Sequence, residues 1–244
     1  VAYFSMEFGL HDSLKIYSGG LGMLAGDYLK EASDSNKNMI GIGLLYRNGY
    51  FTQQISKSGE QISVYIPQKF SHLPLYAVKD TDGDWMKISI SLPGRTLYAK
   101  VWQYAVGRIP LYLLDTDIEE NSEEDRAITA ELYGGNWENR LKQEMLLGMG
   151  GVRLINQLNI KPAIYHNNEG HSAFSCIERM ADTMRNEHLS FEEAKEIVRA
   201  STLFTTHTPV PAGHDAFEEG LLRMYISHYA DYLGLSWEDF MGLG

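Results

Sequence analysis

The chain has 244 residues, 44% of them apolar and 22% charged, enough to bury a substantial core and to exclude a disordered polymer. Thirty-two Asp and Glu against 21 Lys and Arg give a net charge of −11, with no basic cluster, which argues against nucleic acid or an anionic membrane as a partner. Cys176 is the sole cysteine, so an intrachain disulfide and a cysteine-based zinc cluster are excluded, and the thiol suits a reducing compartment such as the cytoplasm.

The run Val1-Ala2-Tyr3-Phe4-Ser5-Met6 reads as a strand buried on both faces. It lacks the basic start of a signal peptide and reads as the interior of a longer polypeptide. Leu21, Leu24, Ala25, Tyr28, Leu29 and Ala32 recur at helical spacing, and 39–46 is a second buried strand, too short to span a bilayer. A strand, a helix and a strand in that order predict a parallel sheet.

From about 47 to 117 the pattern changes. Residues 86–92 and 97–105 are rich in Ile, Val, Tyr and Trp and are joined by Pro93-Gly94, and 109–114 adds a third strand, together an antiparallel insertion. Helices are expected over 125–133 and 137–158. Strand and helix then alternate: a strand at 163–166, helices over 170–185 and 191–200, a strand at 203–206 and a helix over 216–233. Ser190 with Glu193 three residues on is a capping box that starts one of these helices. The chain reads as one α/β unit over 1–244, a Rossmann-like doubly wound sheet carrying that insertion.

Three loops carry candidate chemistry. Tyr17-Ser18-Gly19-Gly20-Leu21-Gly22 opens a helix, where glycines permit close backbone approach and free N–H groups attract anions; the plain alternative is a tight turn. The stretch Gly20 to Ala25 also satisfies G-x-G-x-x-A. However, it lies about a dozen residues beyond the first strand, and Tyr46-Arg47 supplies no acidic partner for a ribose, so a dinucleotide site is rejected. His166-Asn167-Asn168-Glu169-Gly170-His171 follows a strand, and its spacing is neither H-E-x-x-H nor H-x-x-E-H, so no metal site is assigned. Asn, Glu and His there suit a polyhydroxylated ligand, or else simply cap a helix. Thr205-Thr206-His207-Thr208-Pro209, followed by Pro211, Gly213 and His214, leaves a further strand at the same expected edge. Cys176 is off the face of His171, and no G-x-S-x-G elbow occurs.

Taken in order, these loops resemble one family. Residues 3–8 (YFSMEF), 18–22 with 24–27, 43–51 (GLLYRNGYF), 140–144 (RLKQE), 168–174 (NEGHSAF) and 206–209 (THTP) are similar to the α-glucan phosphorylases along the whole chain. The resemblance implies the N-terminal half of a GT-B glycosyltransferase, two Rossmann-like domains facing across a cleft. It implies phosphorolysis of α-1,4-glucan by inorganic phosphate to glucose 1-phosphate, with retention, assisted by the phosphate of pyridoxal phosphate. It implies that Gly19, Gly20, Leu21 and Gly22 present N–H groups to the phosphates and the glucosyl unit, and that His207 binds the reacting sugar. Glu169 and His171 would line the cleft, Tyr133 to Asn136 would form a gating loop, and Glu7 would lie beneath the glycine loop near the cofactor. Gly9 and His11 depart from the pattern of the larger members. The cofactor lysine and the basic residues for substrate phosphate belong to the family's C-terminal domain, absent here, so the isolated chain is expected to be inactive. Two alternatives remain at this point. A glycogen synthase-type nucleotide-sugar glucosyltransferase has a similar glycine loop, although Lys15 is displaced from the glycines here, and a non-catalytic glucan-binding fragment is the other. A homo-oligomer is left open.

Overall fold

The computed structural model describes residues 1–210 and 215–244; Pro211, Gly213 and His214 lie outside them. In chain order the elements begin β1 (Ala2–Phe4), α1 (Gly20–Asp34), β2 (Ile40–Leu44), β3 (Thr52–Ile55), β4 (Gln61–Val64), β5 (Leu75–Ala77), β6 (Lys87–Leu92), β7 (Arg95–Val106) and β8 (Ile109–Asp115). They continue α2 (Glu123–Arg126), α3 (Trp137–Met145), α4 (Gly151–Gln157), β9 (Tyr165–Asn168), α5 (Phe174–Glu187), α6 (Phe191–Ala200), β10 (Thr202–Thr205), α7 (Glu219–Leu233) and α8 (Trp237–Met241).

Eight strands form the central sheet in the order β10-β9-β1-β2-β8-β7-β5, with β6 also paired to β7. Neighbours from β10 to β8 run parallel, whereas β7 is antiparallel to β8, β6 and β5. A separate hairpin, β3–β4, stands outside this sheet. Every residue of β1 and β2 is buried, as strands covered on both faces must be. The cover comes from helices on opposite sides. A side chain at Gly41 would meet Leu29 of α1, and one at Gly151 of α4 would meet Ile42 Cγ2 at 2.8 Å; Gly41 and Ile42 are successive strand residues and face opposite ways. This mixed α/β arrangement is compatible with a Rossmann-like fold.

The capping box of Ser190 and Glu193 starts α6 as expected. The helix expected over 125–133 is shortened to one turn. Beyond it only three-residue turns continue (Ile128 N–H to the Asp125 carbonyl, Ala130 N–H to that of Ala127), because the carbonyls of Thr129 and Ala130 accept from Arg47 and Asn48 N–H and Thr129 Oγ1 pairs with Thr116 across the fold. The helix over 137–157 contains a π turn at Leu146–Gly150. Among the described residues no helix is long and apolar enough to cross a membrane.

Candidate active site

The parallel strands β1, β9 and β10 end at one sheet edge, and the chain leaving each of them contributes to a cavity of about 530 Å³ beside the start of α1. Glu7, Gly20, Leu21, Glu169, His171 and His207 line it together. Gly19 and Gly22 flank that lining in the loop, and Asn136 lies in neighbouring cavities, where its side chain caps α3 by accepting the Asn139 N–H.

Glu7 organises the glycine loop. It is 3% exposed, and its Oε2 accepts Ser18 N–H at 2.6 Å and Gly19 N–H at 3.3 Å, while Oε1 accepts the Tyr133 hydroxyl. Gly19 caps α1 without a side chain, so the Gly20 and Leu21 N–H groups have no partner among the described residues. These orphan donors at the positive end of a four-turn helix make an anion-accepting corner. Close approach holds the loop there: a Cβ at Gly26 would lie 2.0 Å from the Gly9 carbonyl oxygen.

Glu169 has φ 62° and ψ −178°, a region that side-chain-bearing residues rarely enter. The strain is maintained by two bonds into the β10 loop: Glu169 N–H donates to the Thr205 carbonyl at 2.8 Å, and Oε1 accepts His207 N–H at 2.6 Å. Its Oε2 is buried and has no hydrogen-bond partner among the described residues, and the same holds for Nδ1 of His171. Burial, then the Arg140 charge, lowers the His171 pKa and keeps the ring neutral.

Arg140 and Asp215 also line the cavity and are not among the site residues read from sequence. Arg140 donates to Asp215 through Nε at 2.8 Å, and its guanidinium stacks 4.0 Å from the centre of the Tyr133 ring. Burial, with hydrogen bonding to Asp215, pushes the Glu144 carboxyl up to about 9. Burial alone would also raise Asp215, but bonding to Glu144 and Arg140 outweighs it and holds Asp215 low, so the two acids share a proton. Glu144, His171 and Asp215 place donor atoms within 4.8 Å of one another. The Arg140 guanidinium already lies on Asp215 within this cluster, so it is read as an arginine-paired carboxyl set and not as a metal site. For Arg140 and Glu144 the sequence signal is the crowding of Arg140, Lys142, Gln143 and Glu144 on one short helix, which forces polar groups inward; Asp215 has no such signal.

No protein-family model matches the chain. It is 46% identical, over its whole length, to the maltodextrin phosphorylase of Thermococcus litoralis, covering 29% of that protein. Over 93% of its length it is 45% identical to the glycogen phosphorylase of Mycobacterium tuberculosis, covering 27%. It is 35% identical throughout to the glycogen phosphorylase of Aquifex aeolicus, covering 35%. Along its length the chain is similar to part of these maltodextrin and glycogen phosphorylases. It spans about a third or less of the length of these relatives. The similarity runs through the cavity-bearing loops, because the match to two of these relatives extends over all 244 residues.

Proposed function

We propose that these residues form one wall of an enzyme cleft in which α-1,4-glucan is phosphorolysed to glucose 1-phosphate, the other wall being a second GT-B domain that carries the cofactor lysine. The observation that carries the reading is the convergence of the orphan N–H groups of Gly20 and Leu21 with His207, Glu169 and His171 around one cavity. Together they form an anion corner beside a set of hydroxyl partners. A glycosyl transition state with oxocarbenium character needs fixed dipoles and positioned partners more than a protein nucleophile.

Pyridoxal phosphate fits the donor set present, since the unpartnered N–H groups at the start of α1 suit a phosphate and Gly20 has open space beside its Cα. When bound, that group supplies a phosphate as acid/base partner to the substrate phosphate. On this side of the cleft, Gly20 and Leu21 hold phosphate oxygens, Glu7 keeps the loop in place, and His207, Glu169 and His171 orient the sugar. Tyr133, hydrogen-bonded to Glu7 and packed under Arg140, links the gating segment to that loop. No lysine lines the cavity, which removes support for a nucleotide-sugar transferase gripping its donor through Lys15.

The test replaces the matching part of the Thermococcus litoralis maltodextrin phosphorylase with this chain and assays glucose 1-phosphate release from maltodextrin and inorganic phosphate, pyridoxal phosphate present. The hybrid is expected to be active and the 244-residue chain alone inactive. A folded hybrid that turns over ADP-glucose and not phosphate would overturn the reading, and release by the chain alone would overturn the one-wall assignment.

A further inference from the structure

The hydrogen-bond polarity behind His207 is determined by groups deeper in the sheet. Ser5, fully buried at the end of β1, lies 2.8 Å from the carbonyl oxygen of Glu7. A carbonyl only accepts, so the single hydroxyl proton of Ser5 is used there. Toward Glu7 N–H and toward the Asn168 side chain at 3.1 Å, Ser5 Oγ therefore acts as acceptor. The Asn168 group facing Ser5 must then be the amide nitrogen, which leaves Oδ1 facing His207. Asn168 is 1% exposed, and its Oδ1 lies 2.7 Å from His207 Nε2. An amide oxygen cannot donate, so Nε2 carries the proton. In the neutral ring Nδ1 is then a bare acceptor, and no described residue partners it.

We propose that Ser5 and Asn168 are positioning residues that hold His207 as its Nε2–H tautomer, so that the cavity offers Nδ1 as an acceptor to a ligand hydroxyl. The consequence for specificity rests on reading His207 as sugar-binding: such a ring selects a hydroxyl donor and rejects a carbonyl or phosphate oxygen at that point. Glu169 contributes separately by holding the His207 main chain, so ring and backbone are positioned by two successive residues, the last of β9 and the one after it.

Nitrogen NMR of the 15N-histidine-labelled 244-residue chain at about pH 8, where an imidazole is neutral, reads the tautomer directly. The His207 signals are assigned by their loss in His207→Gln. The expected result is protonated Nε2 and bare Nδ1 in the wild type, retention of Nε2–H in Asn168→Asp, which keeps the acceptor, and a measurable share of Nδ1–H in Ser5→Ala. The Nδ1–H form in the wild type, or an unchanged tautomer in a folded Ser5→Ala, would overturn the relay. Should Ser5→Ala not fold, as judged by its other histidine signals, the wild type and Asn168→Asp decide. Adding maltopentaose is expected to shift the Nδ1 signal. An Nε2–H ring that does not respond leaves the relay standing and removes the sugar reading instead.

Discussion

The two halves of the central sheet treat buried polar groups in opposite ways. In the antiparallel half, Asp125 receives two hydrogen bonds from Arg95 at 2.6 and 2.8 Å. Asp115 accepts from Trp102 and pairs with Lys100, and Asn121 bonds both Tyr98 backbone groups and the Thr116 carbonyl. No side chain of β6, β7 or β8 contributes an unpartnered buried atom among the described residues. At the carboxyl edge of the parallel half, His166, Glu169 and His171 each leave one buried atom unpaired, and Glu169 holds a strained backbone. Closed networks stabilise, whereas open ones hold donors and acceptors ready for something that is not protein. Buried atoms without a partner among the described residues also occur at Arg47 and Gln143, and the strained backbone of Glu169 sets the parallel edge apart from them.

The largest expected effect lies in the closed half. Asp125→Ala leaves the partly exposed Arg95 guanidinium without its carboxylate and should lower unfolding free energy by about 2 kcal/mol in urea titrations. The Asp125 side chain is 2% exposed and Arg95 is 37% exposed, which places the loss toward the lower end for a broken ion pair. A change under about 1 kcal/mol would mean that the network is decorative and the contrast false.

The next effect is one of sign. The hydrogen bond from Arg95 holds the Asp125 carboxyl below its ordinary value, so its contribution is present above that value and is lost as pH falls. Glu144, pushed by burial and by Asp215 from 4.5 up to about 9, keeps its proton in the folded chain when an unfolded carboxyl has lost it. Its contribution is complete below 4.5 and disappears as pH rises toward 9, with a slope of up to about 1.4 kcal/mol per pH unit. Glu144→Gln should flatten the alkaline limb of a stability–pH curve and leave in place the share of the acid limb that comes from Asp125, while the share from Asp215, held low partly by Glu144, shrinks. If the alkaline limb is unchanged, Glu144 and Asp215 do not share a proton.

How much of this was legible depends on how local each signal is. The capping box of α6 is contained within four residues, and β1 and β2 announce themselves as unbroken apolar runs. The hairpin β3–β4 is hard to see in the sequence because TQQI lacks alternation, and the alternation of QISV spans only four residues on a solvent-facing strand. Seven of the cavity-lining residues (Glu7, Gly20, Leu21, Tyr133, Glu169, His171 and His207) are legible in the sequence, through the glycine loop, the expected gating loop and the loops that follow strands. Arg140 and Asp215 were not, because their pairing joins positions 75 apart and exists only once the fold is made. The strain at Glu169 was equally invisible, since nothing in Asn-Glu-Gly requires a positive φ there.

That strain supports the smallest effect, and two substitutions separate it from chemistry. Glu169→Ala removes the carboxylate and keeps the unfavourable backbone; Glu169→Gly removes both. Each loses the bond to His207 N–H, whose residue is exposed enough for water to replace the carboxylate. The difference between the two variants therefore isolates the backbone term, and glycine should be the more stable by about 1 kcal/mol, less than the full strain because a glycine also gains freedom when unfolded. Both should bind maltopentaose more weakly than the wild type in calorimetry, because the loop holding His207 loses its anchor. Equal stability of the two would mean that the Glu169 conformation carries no strain, and the open edge would then differ from the closed half only in unpaired side-chain atoms. A more stable but weakly binding glycine variant would show that this edge maintains its geometry at the expense of stability, which is the behaviour expected of a site and not of a scaffold.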